Sequence, residues 1–210
     1  MSLKIGIVGS GNVGGTLGRR LAQAGNQVAF GTRRPDGPEM KELASVPGAR
    51  VTSQEDAARS ADVILLATPW PATRAAIQGL GDLSGKLLLD CTNPLKPDLS
   101  GLEVGTVSSG GEQVAQWARG AKVVKIFNTI GYNIMDNPDF GGRAATLFYC
   151  GDDAEAKNVA ASLARQLGFD PVDAGPLQQA RLLEPFALLW ISLAYARGLG
   201  REIVLQLVSR

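Results

Sequence analysis

A glycine-rich stretch near the start of the chain is the strongest candidate for chemistry. It reads Gly9-Ser10-Gly11-Asn12-Val13-Gly14 and follows an apolar run at residues 3–8. Val13, Leu17 and Leu21 then recur at helical spacing, so the order strand, glycine turn, helix is predicted. In this context the glycines permit a tight turn, close approach of a pyrophosphate and tight helix packing, and the helix N-terminus offers N–H groups to phosphate. The stretch predicts a dinucleotide-binding loop; a glycine turn without a ligand is the alternative.

The end of the second predicted strand bears on which dinucleotide would bind. It reads Gly31-Thr32-Arg33-Arg34, and Thr32 lies 23 positions after Gly9. NAD-binding domains place an Asp or Glu about 20 residues after the glycines to hold the ribose hydroxyls, whereas here no acid follows before Asp36. A hydroxyl and two guanidiniums suit a 2′-phosphate, because Arg offers a planar fork to phosphate oxygens. Thr32, Arg33 and Arg34 therefore favour NADP(H), unless the two arginines only solvate a loop.

Three further strand ends carry polar and aromatic side chains. The runs at residues 63–67, 87–89 and 123–127 are followed by Thr68-Pro69-Trp70, by a segment with Asn93, and by Asn128-Thr129-Ile130. Ligands of open α/β sheets bind beyond the carboxyl ends of the strands. None of these segments offers a His, Lys or Glu placed as an acid or base, so they suit stacking of flat rings and direct hydride transfer. Packing by Trp70 and turn capping by the two asparagines are the alternatives.

Composition argues against several other kinds of chemistry. The 210 residues include 21 Lys and Arg, 20 Asp and Glu, no His, and two cysteines, Cys91 and Cys150. A formal charge of +1 argues against binding of nucleic acid or a membrane surface. Without histidine, and with two distant cysteines, we expect no metal site, no Ser-His-Asp triad and no disulfide framework. No apolar run reaches the ~20 residues of a membrane span, so we expect a soluble, cytoplasmic protein.

Short apolar runs alternate with helical patterns along most of the chain. Several are continuously apolar, which is typical of strands that helices cover on both faces. The runs lie at residues 3–8, 27–30, 63–67, 87–89, 123–127, 147–150 and 171–172. This alternation predicts an α/β fold, a doubly wound and mostly parallel sheet that forms a Rossmann-type NADP-binding domain over residues 1–176.

Residues 177–210 have a different pattern. Leu182, Phe186, Leu189, Trp190 and Leu193 recur at helical spacing with no further strand. This predicts a small C-terminal helical segment that packs on the main domain. Its apolar face is wider than one helix normally leaves in water, so we also expect it at a homodimer interface.

Seven stretches spread over nearly the whole chain carry a family resemblance: residues 5–14, 31–34, 68–70, 125–130, 150–153, 173–177 and 181–184. Here the chain resembles the NADPH-dependent oxidoreductases that act on the deazaflavin coenzyme F-420, and it is similar to the cytosolic NADPH-oxidising domain of the STEAP metalloreductases. The resemblance implies hydride transfer between NADP(H) and a flavin-like small molecule. By this resemblance residues 9–13 with Thr32 and Arg33 bind NADP, residues 68–70 flank it, and residues 128–130 line the ring-stacking cleft.

Asn128 bears on the identity of the acceptor. The archaeal deazaflavin enzymes have a histidine where Asn128 stands, whereas the metalloreductase domains have an asparagine. The acceptor therefore stays open between F-420 and FMN or FAD, the latter with onward ferric reduction. Two other functions stay open as well. One is an imine or pyrroline-type NADPH reductase, and the other is a non-catalytic NADPH-binding sensor in which the nicotinamide has no room for a second ring.

Overall fold

The computed structural model describes residues 2–209, apart from the side chain of Glu39. Over these residues eight strands form one sheet: β1 (Lys4–Val8), β2 (Gln27–Thr32), β3 (Ala49–Ser53), β4 (Val63–Leu66), β5 (Leu87–Asp90), β6 (Lys122–Lys125), β7 (Thr146–Gly151) and β8 (Asp170–Asp173). Their order is β3-β2-β1-β4-β5-β6-β7-β8. Strands β1 to β6 are parallel, β7 is antiparallel to β6, and β8 is parallel to β7. The predicted α/β fold with a doubly wound, mostly parallel sheet is confirmed.

The helices connect these strands. They are α1 (Asn12–Gln23), α2 (Lys41–Ala44), α3 (Gln54–Arg59), α4 (Trp70–Gln78), α5 (Gly110–Trp117), α6 (Tyr132–Asp136), α7 (Ala154–Gln166) and α8 (Ala180–Ile191). Their ends follow local chemistry. Gly25 and Gly168 follow α1 and α7 with φ of 91° and 92°, a left-handed conformation that glycine adopts without steric cost. The Ser53 hydroxyl caps α3 by accepting the Asp56 N–H at 3.1 Å.

Two apolar cores lie on opposite faces of the sheet, because successive residues of a strand point to opposite sides. Leu65, Leu89 and Val124 belong to the core that α1 and α7 cover. Their neighbours in the same strands, such as Leu66 and Leu88, belong to the second core, which Ala58 of α3, Ile77 of α4 and Val114 of α5 complete. Burial on both faces explains why these strands read as continuously apolar.

The C-terminal segment packs on the domain. Ala180 and Leu183 of α8 are buried in the second core. A π-helical turn, Ser192–Ala196, follows, and the chain then continues without regular structure to residue 209. The Trp190 indole donates to the Ile203 carbonyl at 2.8 Å, and the Leu207 amide donates to the Thr146 hydroxyl at 3.1 Å. The first residue of the predicted main domain, Met1, and the last residue of the predicted C-terminal segment, Arg210, lie outside the described residues.

Four elements differ from the sequence-based expectation. Strand β3 has no apolar run, because it is an edge strand in which Val51 is flanked by Arg50 and Thr52. Helices α4 and α6 are short and lacked a clear periodic pattern. The predicted strand at residues 123–127 ends at Lys125, since Phe127 adopts a left-handed φ of 65° that turns the chain out of the sheet.

Candidate active site

One cleft of about 860 Å³ opens at the carboxyl edge of the parallel strands. It is lined by the glycine loop, the end of β2, the segment after β4 and the segment after β5, namely residues 9–13, 31–33, 67–72, 91–93 and 95–97. Four of the loops that the sequence assigned to one edge therefore meet in one cleft, whereas the predicted lining residues 128–130 are buried and do not line it. This is the edge at which ligands of doubly wound sheets bind.

The glycine loop has the geometry of a phosphate cradle. Gly9 has φ of 103°, and a Cβ on it would lie 2.6 Å from the Ala67 carbonyl oxygen, while a Cβ on Gly14 would overlap the Gly9 carbonyl oxygen. A Cβ on Gly11 would meet nothing within 4 Å, so Gly11 faces open space inside the cleft. Gly11 is also the N-cap of α1 and supplies no side chain to the helix. Uncapped N–H groups beside open space fit the pyrophosphate of a dinucleotide.

The end of β2 forms one flank of this cleft. Thr32 and Arg33 line it, and the Thr32 hydroxyl accepts the Arg34 N–H at 3.3 Å. Arg34 itself is not part of the lining. Gln54 is a lining residue that sequence reasoning missed. Strands β2 and β3 pair Thr32 with Ser53, so the next residue, Gln54, lies beside the end of β2. The sequence gives no signal for this, because β3 has no apolar run.

Trp70 begins helix α4 directly after the lining residues Thr68 and Pro69. Its ring is half-buried and packs on Trp117, with centroids 5.4 Å apart. Thr68 is buried and shares a hydroxyl–hydroxyl hydrogen bond of 2.9 Å with Thr73. Trp70 therefore combines ordinary packing on one side with a place in the cleft wall. Contact with a ligand stays a prediction.

Asn93 and Asn128 are joined by reciprocal hydrogen bonds. The Asn93 amide donates to the Asn128 carbonyl at 2.8 Å, and the Asn128 amide donates to Asn93 Oδ1 at 3.1 Å and to the Leu183 carbonyl at 3.2 Å. Asn93 lines the cleft, whereas Asn128, Thr129 and Ile130 are buried beneath that wall. Among the described residues, Asn128 Oδ1 and Thr129 Oγ1 are buried without a hydrogen-bond partner. Their roles in transfer stay predictions.

Lys125 is a buried cation at the end of β6. Its ammonium lies 3.0 Å from Asp90 Oδ2 and 2.8 Å from Glu184 Oε1, and all three side chains are essentially inaccessible to solvent. Burial acts to lower the pKa of Lys125, but Asp90 and Glu184 outweigh it and raise that pKa above its ordinary value. Lys125 therefore stays protonated at neutral pH. Asp90 also accepts the Thr92 N–H at 2.9 Å, which closes the turn after β5.

The thiols and the described carboxylates offer little other reactive chemistry. Burial raises the pKa of Cys91 well above its usual value and that of Cys150 to about 12, so both stay protonated. Over residues 2–209, no group of three or more His, Cys, Asp or Glu side chains is arranged to hold a metal ion. Within the same residues, no helix has the length and apolar character needed to cross a membrane.

Comparison with known proteins decides the family. A family model described as "NADP oxidoreductase coenzyme F420-dependent" matches residues 4–94. The F420-dependent NADP reductase of Methanothermobacter thermautotrophicus is 30% identical over an alignment of 216 positions, gaps included, which covers 92% of this chain and 90% of that reductase. The chain belongs to this family. A solved structure of a putative F420-dependent NADP-reductase from Arthrobacter sp. FB24 shares the fold with a TM-score of 0.90 at 32% identity, covering 99% of this chain and 100% of that one.

A second set of relatives consists of longer proteins. Metalloreductase STEAP3 of Rattus norvegicus is 35% identical over 189 residues, which cover 88% of this chain. The match spans only 36% of the metalloreductase, so this chain corresponds to about a third of that protein's length. Both resemblances expected from the sequence are confirmed, and together they leave two kinds of acceptor open.

Proposed function

We propose that this protein transfers a hydride directly between NADP(H) and a flavin-like ring, with the deazaflavin F-420 as the first candidate acceptor and FMN or FAD as the second. The observation that carries the proposal is Gly11, which faces open space at the uncapped N-terminus of α1 inside the same cleft as Arg33 and Asn93. That combination provides a phosphate site, a cation for a 2′-phosphate and an amide-lined wall in one concavity.

The residues of the cleft would bind and orient rather than exchange protons. The N–H groups at the start of α1 would hold the pyrophosphate, and Thr32 and Arg33 would hold the 2′-phosphate. When bound, NADPH supplies a hydride and leaves as NADP⁺, while the acceptor ring takes up that hydride and one proton from water. The titratable side chains of the lining are Arg33, Lys96 and the protonated thiol of Cys91. Burial raises the pKa of the Cys91 thiol well above its usual value, so the thiol stays protonated, and the rate would depend on proximity and orientation.

The choice of acceptor rests on two supports that differ in strength. Relatives named F420-dependent NADP reductase match this chain over nine tenths of their own length. The metalloreductases match over about a third of theirs. The first set therefore favours F-420, while the asparagine at position 128 is, by the resemblance described in the sequence analysis, a feature of the second.

The test is NADPH oxidation, followed by loss of reduced-nicotinamide absorbance, with F-420, FMN, FAD and a cyclic imine offered separately. We expect turnover with F-420 at the highest kcat/KM. Turnover with FMN or FAD alone would assign the protein to the metalloreductase type of chemistry. Turnover with the imine alone would contradict hydride transfer to a flavin-like ring. Tight NADPH binding without oxidation by any acceptor would favour the sensor module.

A further inference from the structure

The three buried charges behind the cleft form a single cluster, defined here as Lys125, Asp90 and Glu184. Asp90 and Lys125 end the neighbouring strands β5 and β6 and lie opposite each other in the sheet register. Glu184 comes from helix α8, which is the C-terminal segment. Lys125 donates at 2.6 Å to the Thr92 carbonyl as well, so its three N–H groups all have partners.

Both carboxylates of the cluster are fully engaged. Asp90 Oδ1 accepts the N–H of Thr92 at 2.9 Å and its hydroxyl at 2.7 Å. The Glu184 oxygens accept the amides of Gly110 and Gly111 at 2.8 and 2.9 Å, at the first turn of α5. Burying ion pairs costs desolvation energy, and well-packed apolar side chains often stabilise a core equally well or better. Stability alone therefore does not account for three charges at this place.

The cluster touches the cleft at one point. Thr92, held by Lys125 at its carbonyl and by Asp90 at its N–H and hydroxyl, lines the cleft together with Asn93. Asn93 is bonded to Asn128, which in turn donates to the carbonyl of Leu183, the residue before Glu184. Two adjacent residues of α8 therefore support the cleft wall: Leu183 through Asn128 and Asn93, and Glu184 through Lys125 and Thr92.

We propose that Lys125 is a positioning residue which, together with Glu184, fixes the Thr92–Asn93 wall so that the acceptor ring is held at the correct distance for hydride transfer. Helix α8 is then part of the active site rather than only an appendage to the fold. This inference rests on the proposed function, because the wall matters for rate only if a second ring reacts there.

The chain offers a matched control. Arg181 of α8 makes a bidentate ion pair with Glu112 of α5 at 2.8 and 2.6 Å, so it joins the same two helices as Glu184 does. The Glu112 carboxylate also accepts the Ser109 hydroxyl at 2.7 Å. Neither the Arg181–Glu112 pair nor the Ser109–Glu112 bond includes Thr92 or Asn93. Arg181→Met therefore loosens the docking of α8 without removing a bond to the cleft wall.

The test compares Lys125→Met/Glu184→Gln with Arg181→Met. The double variant removes one cationic and one anionic side chain, so the formal charge of the cluster stays at −1. We expect kcat for the acceptor to fall at least about tenfold, while the NADPH Kd stays within about threefold. We also expect the Thr92 amide to exchange hydrogen at least about tenfold faster in the double variant. Arg181→Met should lower Tm but leave kcat and the Thr92 exchange rate within about threefold of the wild type.

Several outcomes would overturn the inference. A folded double variant with unchanged kcat and unchanged Thr92 exchange would do so, as would an equal loss of kcat in Arg181→Met. If the double variant does not fold, Glu184→Gln alone, which keeps the Lys125–Asp90 pair, should show the same pattern with smaller changes. If kcat and the Thr92 exchange rate of Glu184→Gln both equal those of the wild type, the inference is overturned. If none of the offered acceptors supports NADPH oxidation by the wild type, the proposed function fails. The Thr92 exchange measurement then still decides whether the cluster holds the Thr92–Asn93 wall.

Discussion

Three glycines in the first helical turn should separate folding from phosphate binding. Gly11, Gly14 and Gly15 lie within five residues, yet an added methyl group meets a different environment at each. At Gly11 it would face open space in the cleft, and at Gly14 it would overlap the Gly9 carbonyl oxygen. At Gly15 its nearest neighbour would be the Ser10 carbonyl oxygen at 3.5 Å, an ordinary contact.

The magnitudes follow from these environments. Gly11 has φ of −73°, which alanine adopts freely, so Gly11→Ala should change the free energy of unfolding by less than about 1 kcal/mol. If its methyl group displaces one charge-assisted phosphate contact, the loss is roughly 1.5–3 kcal/mol, about ten- to a hundredfold in NADPH Kd. Gly15→Ala should stabilise α1 by roughly 0.5–1 kcal/mol without changing the Kd. Gly14→Ala should destabilise the fold by at least about 1–3 kcal/mol, because backbone must move.

The assay pairs urea unfolding with NADPH titration by nicotinamide fluorescence. We expect Gly11→Ala to unfold like the wild type and bind NADPH poorly, and Gly15→Ala to bind like the wild type. Wild-type NADPH affinity in a folded Gly11→Ala variant would refute the placement of the pyrophosphate. Equal losses of affinity in Gly11→Ala and Gly15→Ala would show that the helix, rather than the open space, is responsible.

Four further predictions concern the cofactor, the acceptor, the thiols and assembly. Arg33→Ala should weaken NADPH binding about ten- to a hundredfold and leave NADH within about threefold, and equal losses would contradict a 2′-phosphate contact. Asn128→Ala should slow single-turnover transfer while NADPH affinity stays within about threefold; lost affinity with an unchanged rate would move Asn128 to the dinucleotide site. Because burial raises the pKa of both thiols, a Cys91→Ser/Cys150→Ser variant should keep its activity with a chelator present. Its rate of hydride transfer should not change between about pH 6 and about pH 8. Inactivation of the folded variant would contradict this. We also propose a homodimer through the exposed face of α8, where Leu189 is 50% accessible, and sedimentation as a monomer at micromolar concentration would refute it.

Much of the fold could be predicted because local and global signals agree. The apolar runs that became β1, β4 and β5 are buried on both faces, and Ser53, Gly25 and Gly168 mark helix ends by their own side-chain or backbone chemistry. Strand β3 was not predicted, because an edge strand needs no apolar run in the sequence. The glycine loop and the end of β2 could be placed together because parallel strands bring their carboxyl ends to one edge.

The charged cluster could not be predicted from sequence spacing. Glu184 lies 59 positions beyond Lys125 and reaches it only because α8 packs against α5. The depth of Asn128 behind Asn93 has the same origin. It depends on the left-handed turn at Phe127, a conformation that cannot be predicted from a phenylalanine in the sequence. Tertiary contacts of this kind decide which residues face the cleft and which support it.

Transfer of isotope from NADPH to the acceptor tests the central claim most directly. The wild-type protein would be mixed with F-420 and NADPH that carries deuterium at the transferred position of the nicotinamide, and the reduced deazaflavin would be analysed by mass spectrometry and NMR. Direct hydride transfer in the cleft predicts that the deuterium appears on a ring carbon of the reduced acceptor. Reduced acceptor that lacks deuterium, with the label in water, would contradict the account.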